Sequence, residues 1–543
     1  MTRRQFCASA AIAAAPRQAL VRRPVEWTFT STKTYRDPFS DLDLNITFEG
    51  PDKTPMALPA FWTGANTWRA RFAPPSAGTW TWRTMCSDTA NPALHNQSGE
   101  FIAAPKTSSN PLLRHGPLRV ASDHRHFEHE DGTPFFWLGD TWWMGLCRRL
   151  TWPDGFQKLA ADRVRKGFNV VQIVAGLYPD MPSFDPRGAN EAGFPWEPDF
   201  ARINPAYFDR ADTRIQFLID QGLVPCIVGC WGYFLPLMGE QKMKQHWRYL
   251  VARWGSLPVV WCLAGEGTMP YYLSKAKDQD AAAQKHGWTE IARYVRSIDP
   301  YRRPITIHPS SSGRSSVDDA SVLDFDMLQT GHSDRRSIPN TVARVRESYA
   351  AQPPMPVLVG EVCYEGIMEA SREEVQRIMF WASVLNGAAG HTYGANGIWQ
   401  VNTATAPFGA SPHGRSWGDT PWEAAYQLPG SRQLGLAKQF LSRYQWWRFE
   451  PHPEWADPNW SPQNMFKSFA AGIPGEVRIF YIPDGNSPVV RGLEPNVSYR
   501  AFFWNPVNAK EYPVGPVTAD SAGNWSAPNG PIFQDWVLTL EKS

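Results

Sequence analysis

The chain has almost no net charge: 54 basic residues stand against 52 acidic ones over 543 positions. That balance leaves no electrostatic footprint for a nucleic acid or an anionic membrane surface. No run of 18 apolar residues occurs, so no segment reads as a membrane span. There is no Gly-x-Ser-x-Gly elbow, phosphate loop or dinucleotide fingerprint in a strand–turn–helix context, so nothing calls for a cofactor. Cysteine is sparse, at positions 7, 86, 147, 226, 230, 262 and 363. Only Cys226 and Cys230 have a metal-like spacing. No second Cys or His pair complements them, so they read as core thiols in a strand. Internal repeats and low-complexity tracts are also missing.

What is abundant is tryptophan, with 26 residues, and proline, with 48. Indoles fill cores, and they also form platforms for flat apolar faces such as sugar rings. The prolines suit long ordered loops. The N-terminus places Arg3 and Arg4 before a short stretch of small apolar residues with Ala-x-Ala options. Residues 1–20 therefore resemble a twin-arginine export signal, which predicts a periplasmic or secreted protein.

Three rhythms follow along the chain. Residues 25–105 alternate polar and apolar with period two, broken by Pro- and Gly-bearing turns, and predict a small β-sandwich. From 110 to 445 strands alternate with helices, the mark of a parallel sheet. Eight strands are expected, over 135–139, 168–175, 223–230, 259–264, 304–308, 325–329, 357–360 and 388–393. Eight is the number that closes a barrel and removes exposed sheet edges. The connection after the fifth offers no clear helix. Residues 450–543 return to period two and predict a second sandwich. The fold class is thus α/β, a central (β/α)8 TIM barrel flanked by two small all-β sandwich domains. Segments 176–205 and 394–421 far exceed ordinary connections and should wall the barrel mouth.

Two carboxylates end barrel strands directly after a glycine. Gly265-Glu266 follows the fourth strand and Gly360-Glu361 ends the seventh. Catalytic groups in such barrels come from the strand C-terminal ends. Glycosidic cleavage needs two carboxyl groups, one to protonate the leaving oxygen and one to attack or to activate water. The bland alternative is that each Glu binds a neighbouring Arg or a loop backbone. Other rim candidates are Asp140, Trp142 and Trp143 after strand one, Gln172 on strand two, Trp231 after strand three and His308 after strand five. Gln329 and His332 follow strand six, and Tyr364 follows strand seven. His391, Tyr393, Asn396 and Trp399 belong to strand eight and its loop. Each is weak alone, and Asp140 with its indoles could equally cap the loop and pack beneath the mouth.

Gly139-Asp140-Thr141-Trp142-Trp143, Leu263-Ala264-Gly265-Glu266-Gly267, Gln329-Thr330-Gly331-His332 and Gly360-Glu361-Val362-Cys363-Tyr364 resemble the apiosidase-like family of barrel glycoside hydrolases, related to clan A. So does the stretch from Gly390 to Gln400. The resemblance covers about residues 110–445. The flanking sandwiches resemble the Ig-like domain that often precedes this barrel and a β-domain, named for collagen binding, that often follows it. The resemblance implies a retaining, exo-acting glycosidase, with Glu266 as acid/base and Glu361 as nucleophile. It implies a carbohydrate partner, a plant or microbial polysaccharide side chain. Two departures bear on the substrate. Many clan A enzymes have Asn before the acid/base, where this chain has Gly265, and apiosidase relatives tend to carry Asp where this chain has Glu266. Two rival readings stay open: an inactive carbohydrate-binding barrel, and a metal-dependent hydrolase built on His308, His332 and His391.

Overall fold

The computed structural model describes residues 18–105 and 107–543. Residues 1–17 of the expected export signal lie outside that range. Its last three positions, Gln18–Leu20, form an edge strand of the first domain, in parallel register with residues 102–104. That domain stacks a five-stranded sheet on a three-stranded one. Its inner face is aromatic, with Trp27, Phe48, Phe72 and Phe101 in mutual contact.

The eight expected strands form one parallel sheet. They are β1 (Trp137–Thr141), β2 (Val170–Val174), β3 (Val224–Val228), β4 (Val260–Cys262), β5 (Ile305–Thr306), β6 (Asp326–Gln329), β7 (Val357–Glu361) and β8 (Ala388–Tyr393). Most are buried along their whole length, because helices cover the outer face while side chains fill the interior. The order is β5-β4-β3-β2-β1-β8-β7-β6. The remaining seam, between β5 and β6, has no ladder. It is closed by the Asp324 N–H donating to the Ile305 carbonyl at 2.8 Å and the Thr306 hydroxyl donating to the Phe325 carbonyl at 2.9 Å. The connection across this seam carries only two short 3-10 turns, as its sequence suggested.

Helix α1 (Asp154–Arg165) buries Phe156, Leu159 and Ala160 at helical spacing, and α2 (Pro205–Asp220) starts from the Asn204 cap with proline in its first turn. The remaining large helices are α3 (Glu240–Trp254), α4 (Lys277–Ile298), α5 (Ile338–Ala350), α6 (Glu373–Val384) and α7 (Pro429–Leu441). None among the described residues is long and apolar enough to cross a membrane. The C-terminal region is all β, a six-stranded sheet with a three-stranded one.

Ion pairs, one half-buried and one buried, clamp the flanking domains to the barrel. Arg71 of the first sandwich reaches Asp212 of α2 at 2.9 Å and donates to the carbonyl of Arg253 at 2.7 Å. Arg377 of α6 forks onto Asp535 of the last domain, at 2.7 and 2.8 Å. Such forks fix orientation as well as adding attraction. The six described cysteines are free and buried, Cys226 and Cys230 included.

Candidate active site

A pocket of about 450 Å³ opens at the C-terminal ends of the strands. Glu266 and Glu361 both line it. Local backbone explains why each points there. The pairing of β6 with β7 skips a residue: Leu328 faces Val359, and Gln329 faces Glu361. Gly360 is the extra residue of a bulge, which places it and Glu361 on the same side of the strand. A Cβ at Gly360 would come within 2.5 Å of Met327, so the barrel floor demands glycine there. At the other carboxylate, a Cβ on Gly265 would stand 2.1 Å from the Trp231 ring. Glycine lets that indole lie against the backbone and donate to Glu266 Oε2 at 3.2 Å. Glu266 itself has φ +44°, a left-handed conformation that costs a non-glycine residue on the order of 1 kcal/mol or more and clusters at functional sites.

Gln329 Nε2 donates to both carboxylates, at 3.1 Å to Glu266 Oε1 and 3.4 Å to Glu361 Oε1. Laid end to end, those bonds cap the separation of the two oxygens at 6.5 Å. Two histidines face Glu361. His332 Nε2 lies 2.7 Å from its Oε1, and His308 Nε2 lies 3.1 Å from its Oε2, close in distance but poor in angle. Backbone amides set both tautomers. The N–H of Glu266 donates to His308 Nδ1 at 3.3 Å, and that of Tyr364 donates to His332 Nδ1 at 3.4 Å. Each Nδ1 therefore accepts, each Nε2 carries the proton, and both protons aim at Glu361.

The two carboxyl groups are thereby driven apart. Burial alone would raise Glu361, but the His308 and His332 contacts outweigh it and hold the group well below the usual carboxylate range. Glu266 is pushed up to about 7, first by burial and then by the charge of Glu361. One group is ionised and the other keeps a proton to near neutral pH, the division of labour that acid–base chemistry on a sugar requires.

Trp143, Trp231, Gln329, His332, Tyr364 and Trp399 line the pocket with them, and His308 sits immediately behind Glu361. The Trp143 indole donates to the Tyr364 hydroxyl at 3.0 Å. The other expected rim residues are elsewhere. Asp140 is fully buried away from the pocket: it accepts from Arg163 of α1 and from Trp142, both at 2.6 Å, so Asp140 and Trp142 hold helix to strand. Gln172 donates to the Gly360 carbonyl at 3.0 Å and supports the floor. His391 lies against Phe380 of α6, with neither ring nitrogen bonded and its pKa lowered to about 3 by burial. It faces the helix layer, so the three histidines do not converge. Tyr393 donates to Glu365 beside Arg163, again under the helices. Asn396 is buried beneath the loop that follows β8 and does not line the pocket.

Several lining residues were not singled out from the sequence: Asp180, Met269, Tyr272, Lys277, His413 and Trp417. Their signal was the two oversized loops, which supply Asp180, His413 and Trp417. Loop position shows that a segment walls the pocket but not which of its side chains turns inward. Trp399 Nε1, Trp417 Nε1 and Gln329 Oε1 are buried at this pocket without a regular hydrogen bond to the protein. Buried polar atoms are normally satisfied. Their convergence on one cavity marks a place for a hydroxyl-rich ligand.

The family model for the apiosidase-like catalytic domain matches residues 121–448, more than half of the chain. A domain of unknown function, DUF5060, matches residues 22–87. Among solved structures, one glycoside hydrolase is 23% identical, covering 81% of this chain and 99% of its own, with a TM-score of 0.67. A family 5 glycoside hydrolase from Bacteroides vulgatus is 22% identical, covering 79% and 93%, also at 0.67. Another Bacteroides vulgatus chain, described as a glycoside hydrolase, is 18% identical and covers 97% of this chain and 100% of its own at 0.69. At such identities the likeness shows the fold, and the last shows it across all three domains. No curated protein matches the chain.

Proposed function

The chain belongs to the apiosidase-like family of catalytic domains, and from that footing we propose that its pocket hydrolyses a glycosidic bond with retention of configuration. The observation that carries this reading is the pair of carboxyl groups driven to opposite protonation states while sharing one amide donor. Glu361 is the nucleophile: an ionised carboxylate steadied by two imidazole N–H groups can attack an anomeric carbon. Glu266 is the acid/base. It protonates the departing oxygen, and after departure it takes a proton from the attacking water.

The spacing supports retention. Retaining pairs stand about 5–5.5 Å apart, and inverting pairs stand roughly 6.5–9.5 Å apart to admit a water. The 6.5 Å cap on the bridged oxygens meets only the lower edge of the inverting range. The pocket's volume of about 450 Å³ leaves room for few sugar rings, which supports exo-action on a polysaccharide side chain. Arg3 and Arg4 support export to that polymer, and the N-terminal sandwich is read as Ig-like.

The test is the anomeric configuration of the first product, followed by proton NMR before mutarotation on a panel of aryl furanosides and pyranosides. Retention is expected. An inverted first product sinks the proposal, and Asp140 could not take over as base, because Arg163 and Trp142 already occupy it.

A further inference from the structure

Asp180 is the third carboxylate of the pocket, contributed by the long loop after β2. Its backbone is left-handed, at φ +57°. One oxygen is fully used: Oδ1 accepts from the Tyr272 hydroxyl at 3.0 Å and from the Ser411 hydroxyl at 2.7 Å. These donors come from the loops after β4 and β8, so three loops meet at one oxygen. The Trp417 indole N–H approaches this carboxylate without completing a regular hydrogen bond, and no regular hydrogen bond among the described residues reaches the second oxygen. Trp399 lines the same pocket, and neither its buried indole N–H nor that of Trp417 completes a regular hydrogen bond. A strained residue that holds one carboxylate oxygen free beside unused donors is not explained by loop anchoring alone, for which Oδ1 suffices.

We propose that Asp180 Oδ2 and the Trp417 indole N–H form a subsite for one hydroxyl of a neutral sugar: the hydroxyl donates to Asp180 and accepts from Trp417. This rests on the glycosidase reading and narrows its substrate. A carboxylate only accepts, so the group it faces must carry a proton. Glu361 is ionised and Asp180 is a second acid of the same small cavity, where a uronate ring would place a further negative charge beside them. The cations around them are few. His332 is engaged with Glu361, His413 packs on Tyr272, and Lys277 stands exposed among the lining residues. The sugar held beside the catalytic pair is therefore uncharged.

The experiment uses the full chain carrying Glu361→Gln, so that bound sugar persists. Neutral monosaccharides, their monodeoxy derivatives and the matching uronates are titrated while following fluorescence of the pocket indoles. The same titrations are run with Asp180→Ala and Asp180→Asn added, and with Ser411→Ala as the loop-anchor control. Removing a hydrogen bond to a charged group costs about 10- to 100-fold in affinity. Asp180→Ala is expected to lose that factor for the preferred neutral sugar, with Asp180→Asn intermediate and Ser411→Ala within about threefold of the parent. Deleting one particular hydroxyl should cost the parent the same factor and cost Asp180→Ala almost nothing. Uronates should bind the parent at least about tenfold more weakly, as expected for like charges in a partly dry site.

Equal losses for every deoxy sugar, an equal effect of Ser411→Ala, or unchanged binding by Asp180→Ala overturns the subsite. So does a parent that binds no sugar at all. If wild type hydrolyses no glycoside but sugar binding still depends on Asp180, the glycosidase reading fails and the subsite stands.

Discussion

The ends of β1 and β7 carry the same sequence signature, a glycine followed by an acid, and they meet opposite fates. Gly139-Asp140 sits in regular ladders on both sides, pairing with β2 and β8 without interruption. Strict alternation then turns Asp140 outward, where Arg163 of α1 takes it. Gly360-Glu361 sits at a bulge against β6, and the extra residue returns the acid to the barrel mouth. The dipeptide is common to both. The register of the neighbouring strand decides which acid can meet a substrate.

Replacing the acid at each end is the sharpest way to break this comparison. Glu361→Gln should lower turnover by roughly 10⁴-fold or more, as expected when a covalent nucleophile is removed. The variant should stay folded but melt at a lower temperature, because the stability that ionised Glu361 contributes is lost. A variant retaining a tenth of wild-type rate would put the nucleophile elsewhere.

Glu266→Ala should cost about 10²–10⁴ in rate on substrates with poor leaving groups and far less on activated aryl glycosides. Azide should restore part of the loss by filling the space of the carboxyl group. Equal losses on both substrate types would remove Glu266 from the acid role.

Asp140→Ala should behave in the contrary manner. It leaves Arg163 buried with only Asp162 as acidic partner, so stability should fall by about 3 kcal/mol, the low end for breaking a buried pair. The rate per folded molecule should remain within a few-fold of wild type. An unstable protein with intact kinetics supports the outward reading of Asp140. A stable protein with lost activity overturns it.

An effect of similar size to that of Asp140→Ala should appear as pH is varied. Glu266 has a folded pKa of about 7, above its ordinary value of 4.5. A carboxyl group raised on folding opposes folding once it ionises. Its penalty is absent below 4.5, grows between 4.5 and 7, and is complete above 7. At about 1.4 kcal/mol per unit this comes to between about 3 and 4 kcal/mol. Glu361, lowered on folding, contributes stability that is present above its ordinary value and is lost as pH falls through its folded value. Glu266→Gln should therefore gain stability over wild type at pH 8 and show little difference at pH 4, measured by denaturant unfolding. The rate constant kcat/KM of wild type should fall above pH 7 as Glu266 loses its proton. A stability gain at both pH values alike would mean that Glu266 is not raised.

Much of the barrel was legible because strand and helix periods differ and eight apolar runs recur between helical stretches. Every strand lies within two residues of its expected place, and the unsupported fifth connection is irregular as read. The site was legible only in part. Glu266, Glu361, Trp143, Trp231, Gln329, His332, Tyr364 and Trp399 gather at the mouth. His391 and Tyr393 do not, since both occupy outward positions of β8, two residues apart. Perturbed titration alone would also have misled: Glu365 is raised to about 7, first by burial, yet it is bonded to Tyr393 and to the amide of Gly430, outside the pocket.

The sequence by itself determined the order of domains, the number of barrel strands and the two carboxylates at strand ends, because these follow from local period and residue type. The tertiary structure alone decided which strand-end side chains share a cavity. It also decided how His308 and His332 hold Glu361 ionised while burial raises Glu266, and how Asp180, Tyr272, Ser411 and Trp417 meet from separate loops. Those outcomes depend on register, bulges and the folding of long loops over the mouth. They are sums over contacts between residues far apart in the chain, and no local pattern encodes them.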